Sequence, residues 1–184
     1  AAVNGAAADT KPEVQAIVDA YNAIKANADG TAANYATNPT QAQYTAIGVT
    51  GVSTPEQTSL LGDVIDGKPF SAVDTVAEVQ TLADAAAAVM TGATGGTAPT
   101  QAQLNALGIT GVTPANLAAV QAAIAANGSG SAGVDTLTEL QTVVTNAAAA
   151  AAAAAAIDAI KTAAENTPTC PTPTLPDFPT AANT

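Results

Sequence analysis

The stretch PTQAQYTAIGVTGVSTPEQ that begins at Pro39 returns as PTQAQLNALGITGVTPAN at Pro99, and this internal repeat constrains the fold more than any other feature. The segment VDTVAEVQTLADAAAAV from Val73 likewise returns as VDTLTELQTVVTNAAAA from Val134. A third version of the latter, DTKPEVQAIVDAY from Asp9, stands near the start. Matching order, spacing and residue type over so long a stretch do not arise from biased composition. The expected organisation is therefore a 1–38 segment with an orphan helix, unit one at 39–98, unit two at 99–166, and a tail at 167–184.

Each unit reads as helices from its caps. Thr10, Thr75 and Thr136 are each followed three residues later by a glutamate (Glu13, Glu78, Glu139), the signature of a capping box. Apolar residues then recur at helical spacing, as in Val76, Val79, Leu82, Ala86 and Val89. Thr40 with Gln43, and Thr100 with Gln103, cap a short helix that stops at Gly48 or Gly108, where glycine tolerates the left-handed conformation. Thr54-Pro55 and Thr113-Pro114 start the middle helix, with proline where its missing amide costs nothing. These signals predict an all-α chain with helices over 10–27, 40–47, 55–65, 75–91, 100–107, 114–126 and 136–165. The last would run about 45 Å at 1.5 Å per residue. Its alanine run, 147–156, is expected to be a close-packed spacer, with a close interface to another subunit's helix as the sharper alternative.

Composition narrows what such helices can do. Alanine supplies 49 of 184 residues, and there is no Trp, His or Arg. Buried surface must come from Ala, Val, Leu and Ile, which favours thin layers and rods over a thick globule. The net charge of -11, with Lys11, Lys25, Lys68 and Lys161 as the only basic side chains, repels phosphate backbones and anionic headgroups. Nucleic-acid binding and membrane insertion are accordingly not expected; the uninterrupted apolar run 147–157 is shorter than the ~20 residues of a spanning helix. The opening AAVNGAAA reads as the small-residue start of a mature secreted chain.

Chemistry is hard to build from these residues. Without histidine there is no Ser–His or Cys–His dyad and no imidazole ligand, and Cys170 stands alone, so zinc by cysteine is excluded as well. Asp63 and Asp66, or Asp74 with Glu78, are carboxylate pairs without the alternating oxygens of a calcium loop. Gly95-Gly96 and Gly128-Ser129-Gly130 lack the Lys-Ser/Thr that follows a phosphate cradle, and read as loops. No enzyme, cofactor or metal is expected. The Pro- and Thr-rich tail should run extended, with Leu175, Phe178 and Pro179 as anchors on a neighbouring subunit and Cys170 within reach of it.

The unit PTQAQLNALGITGVTPANLAAVQAAIAA followed by VDTLTELQTVV resembles the short α-helical repeats found in tandem in very large bacterial surface and biofilm adhesins. The resemblance covers residues 39 to about 150 and the helix at Asp9. It implies display outside the cell and a spacer or adhesive role, and it transfers no catalytic or binding residues. The leading expectation is an extracellular structural protein that assembles with itself into a filament or matrix. The alternative is a spacer or binding module of a large adhesin with a surface or matrix ligand. A tight protein-binding hot spot is disfavoured by the absence of Arg and the few aromatics. An ice-binding threonine array fails because the helical threonines keep no ~11-residue period.

Overall fold

The computed structural model describes residues 8–31, 37–127 and 133–165. Among them the chain is all-α: α1 (Lys11–Asn27), α2 (Gln41–Ala46), α3 (Pro55–Asp66), α4 (Val76–Ala93), α5 (Gln101–Ala106), α6 (Leu117–Asn127) and α7 (Leu137–Glu165). A 3-10 turn at Phe70–Ala72 and an isolated bridge between Asp29 and Pro69 are the other regular features. Residues up to Ala152 belong to one compact unit, and those from Ala153 onward to a second.

The caps form as the sequence predicts. Thr10, Thr40, Thr54, Thr75 and Thr100 each accept from the amide three residues on, while the Glu or Gln at that position reaches back to the cap amide. At Thr136 the hydroxyl accepts from Glu139 N at 3.2 Å and donates to the Glu139 carboxylate at 2.8 Å. One start differs from expectation. The middle helix of the second unit was expected from Pro114, but residues 114–116 form a turn and α6 begins at Leu117. Asn116 stands where Gln57 does in the first unit, and its side chain is one methylene shorter. It accepts from Thr113 N at 2.8 Å and donates to Gly111 O at 2.8 Å, which holds a turn rather than a box.

Both short helices end in the same way. Gly48 and Gly108 have φ of 87°, and the amides of Val49 and Ile109 reach back to the carbonyls of Tyr44 and Leu104 at 3.0 and 3.1 Å. These are Schellman ends, in which the residue after glycine packs on the residue whose carbonyl it bonds. Tyr44, Val49, Leu104 and Ile109 are all buried. The chain then makes the link Gly-Val/Ile-Thr-Gly-Val, whose second glycine also has positive φ.

Each link is held by a glutamine from the next long helix. Gln80 of α4 accepts from Thr50 N at 2.9 Å and donates to Thr50 O at 3.0 Å. Gln141 of α7 does the same with Thr110, at 2.9 and 3.2 Å. A side-chain amide thus satisfies both backbone groups of a residue that lies in neither helix nor strand.

The core is a single cluster that runs from Ala20 to Ala147. Helix α4 lies at its centre, packed against α3 before it and against α5 and α6 after it. Gly92 permits the close approach of the chain ahead of α5: a β-carbon there would stand 2.7 Å from Pro99 Cδ. Two polar atoms among the described residues, Asn27 Oδ1 and the Tyr44 hydroxyl, are out of keeping. The Tyr44 hydroxyl is buried without a hydrogen-bond partner, and burial pushes its pKa up. Leu104 occupies the matching position in the second unit. Tyr44→Phe should therefore raise stability by about 1 kcal/mol, read as a higher melting temperature of the whole chain.

Candidate assembly surfaces

Aligning the three long helices on their caps gives each residue of α1 a counterpart in α4 and in α7. Val14 matches Val79 and Leu140; Val18 matches Ala83 and Val144; Gln15 matches Gln80 and Gln141. The environments differ sharply. Val14 and Val18 are 47% and 45% exposed, whereas Val79 and Leu140 are 1% and 0% exposed. The cause lies in the neighbours: α1 packs against α2 and α3, both of which follow it, while α4 also packs against α3 before it. Helix α1 therefore carries a bare apolar stripe. Tyr21 extends it, one edge resting on Phe70 in a T-shaped contact with centroids 5.5 Å apart. The Lys25 ammonium lies over the Phe70 ring, 5.9 Å from its centroid.

The opposite deficit occurs on α7. Ala85, Val89 and Gly92 of α4 are buried, and Gly92 lies against Pro99 ahead of α5. Their counterparts on α7, Asn146, Ala150 and Ala153, are exposed. The alanine run was expected to be a close-packed spacer, but beyond Ala147 none of its residues is buried. Ile157 and Ile160, at 52% and 68%, continue the exposed apolar surface. The 29-residue α7 is long and apolar enough to cross a membrane by length and composition, which the shorter uninterrupted run in the sequence does not reveal. Asp158 and Lys161 form an exposed pair 3.8 Å apart near its end.

The acids singled out in the sequence have structural work. Asp63 accepts from Asn38 Nδ2 at 3.4 Å and from the Leu137 amide at 3.2 Å, so a carboxylate of α3 sits at the start of α7. Asp66 is buried. Asp74 precedes the cap of α4, where hydrogen bonds from Thr75 hold the Glu78 carboxyl below its usual range. No group of three or more metal-binding side chains occurs among the described residues. A shallow cleft lined by Thr54, Glu56, Gln57, Met90, Thr91 and Thr94 contains no nucleophile paired with a base. The expected tail anchors Cys170, Leu175, Phe178 and Pro179 lie outside the described residues. Sequence reasoning noticed the orphan helix but missed Gln15, Gln80 and Gln141. Their signal was present: the same glutamine follows every DTxxE cap by two residues.

At the start of α7 two carboxyls crowd together. A side-chain hydrogen bond with Glu139 pushes the Asp135 carboxyl up, helped by burial and by the charges of Glu139 and Glu56. The Glu139 carboxyl is held down by the same bond with Asp135 and by Thr136. No protein-family model, curated protein or solved structure matches the chain.

The pH consequences have opposite signs. Glu13 and Glu78, lowered on folding, stabilise fully above the ordinary glutamate range, and this is lost as pH falls through their folded values. Asp135, raised on folding, destabilises at neutral pH and is relieved on acidification. Asp135→Asn should raise the melting temperature at pH 7, with a gain that shrinks toward pH 4. Equivalent apolar positions should also respond unequally: Leu140→Ala should cost about 2–5 kcal/mol and Val14→Ala under about 0.5 kcal/mol in urea unfolding.

Proposed function

We propose that this chain is an extracellular structural protein of a bacterial surface, a subunit that builds length by joining its ends to further copies in a filament or matrix. The single observation that carries this reading is the pair of half-covered helices. The central α4 is buried on two sides, whereas α1 and α7 each leave one of those sides bare. In a stack of repeats, interior units are covered by neighbours, and an end without a polar cap is open to association. A bare face on one end and a different one on the other make a heterologous contact, which propagates rather than closing into a dimer. On this reading residues 39–98 and 99–166 are two stacked copies of a three-helix unit.

Secretion is supported by composition alone, and a non-enzymatic role by the lack of histidine and the isolation of Cys170. A second reading, a spacer in a long adhesin array, is favoured by the likeness of α1 to helices that carry a preceding unit. In both, the exposed alanine face of α7 is protein-facing: alanine contributes little to lipid burial but lets helices approach closely.

The test is electron microscopy with sedimentation across salt. The net charge of -11 opposes association, so filaments should lengthen as ionic strength rises toward about 0.15 M, where the screening length is about 8 Å. Val14→Asp with Val18→Asp should leave helical content unchanged and abolish filaments. A chain that stays monomeric at high concentration and salt overturns the filament reading.

A further inference from the structure

We infer that Met90 is an oxidation site: a small neutral hydroperoxide reaches its thioether through the cleft between the start of α3 and the end of α4, and the sulfoxide formed there loosens the end of α4. This goes beyond the assembly reading and does not depend on it.

Met90 is the one methionine of the sequence, and its position is divided. It belongs to the core cluster and is 7% exposed, yet it also lines the cleft whose other wall is the cap of α3, Thr54 with Glu56 and Gln57. The cleft holds about 280 Å3. A water takes up about 30 Å3 of liquid, so a space of this size admits a hydroperoxide together with water. The Glu56 carboxylate on the rim and the net charge of -11 repel anionic oxidants, which leaves a neutral peroxide as the reagent that enters. The step needs nothing else. A sulfur lone pair attacks the terminal peroxide oxygen, the S–O bond forms as the O–O bond breaks, and the departing oxygen takes the proton that the transferred oxygen sheds. Hydrogen peroxide thus leaves as water and an organic hydroperoxide as an alcohol. Sulfur loses two electrons and the peroxide gains the same two.

The place of Met90 in α4 gives the oxidation its consequence. Its carbonyl accepts from the Thr94 amide at 3.2 Å, in the turn that ends the helix. Two residues on, Gly92 lies against Pro99, so the chain ahead of α5 is seated on that same turn. A sulfoxide oxygen is a strong acceptor that brings no hydrogen of its own. The Thr91 and Thr94 hydroxyls in the cleft already donate to the carbonyls of Ala87 and Thr91, both at 2.8 Å. Kept in the core, the sulfoxide oxygen is therefore buried without a partner. Turned out into the cleft, it takes the side chain away from the apolar contacts that a thioether fills well. Both outcomes weaken the last turn of α4.

The probe is hydrogen peroxide, added to the full chain carrying Cys170→Ala so that Met90 is its only sulfur. The gain of one oxygen is followed by mass spectrometry, beside a short unstructured peptide that contains one methionine. The expected rate lies within about ten-fold of the peptide's and stays flat in urea below the unfolding transition. A methionine reached only by global unfolding reacts roughly a thousand-fold slower or more, and its rate climbs with urea. The oxidised chain should melt at least about 3 °C lower, with faster hydrogen exchange in the last turn of α4. Reduction by peptide-methionine sulfoxide reductases should restore both. Met90→Leu, a swap that conserves volume, should remove the response of the melting temperature to peroxide. Three results overturn the inference: a slow rate that climbs with urea, a sulfoxide form that melts with the untreated chain, or a peroxide response that survives in Met90→Leu. The first two are read on a chain that keeps Met90, so they stand even if the leucine variant folds poorly.

Discussion

A link threonine that belongs to no helix needs its backbone N–H and C=O satisfied, and here one glutamine amide does both. That requirement organises the architecture. The long helix must run beside the link at the right height, which fixes its register against the preceding unit, and the helix cap five residues before the glutamine is then placed as well. The valine or leucine just before the glutamine is carried into the core by the same geometry. Alanine, with its small area, could not fix so definite a register through packing alone. The polar clamp supplies the position, and the aliphatic residues supply most of the burial.

The alanine-rich composition then has a clear consequence at the ends of the chain. Helix α4 can be covered on two sides because small residues, including Gly92, let neighbours approach it from both. Helices α1 and α7 use the same design but have one neighbour fewer among the described residues. Their exposed faces carry residue types that are buried at the matching positions of α4. The difference between the two faces, β-branched on α1 and mostly alanine on α7, gives the molecule a polarity.

Much of this was legible in the sequence because it is local. Capping boxes need only a threonine and a carboxylate or amide three residues apart, and glycine after a short helix marks a left-handed end. The helices began and ended close to where those signals stand. The start of α6 was missed because Asn116 mimics Gln57 in chemistry but not in reach, and a one-methylene difference decides between a box and a turn. The clamps were missed for another reason. Gln80 and Thr50 are thirty residues apart, and nothing in either residue alone marks them as partners. The exposure of Val14 was likewise invisible to periodicity, which says that a helix has an apolar side but not whether anything lies against it.

One contact steps outside the neighbour-to-neighbour pattern of a repeat stack. The carboxylate of Asp63 bonds the first amide of α7, 74 positions further along, passing over α4, α5 and α6. In a linear array each unit can melt from its end without disturbing those further in. A bond that ties the third helix to the seventh closes the helices between them into a loop of mutual support. Loss of α7 from its place would then expose the end of α3 as well as the second unit, so opening the chain from its later end carries a larger energetic step than a simple unzipping. The bond thereby joins α3 and the start of α7 into one cooperative element, which opens as a block rather than peeling helix by helix.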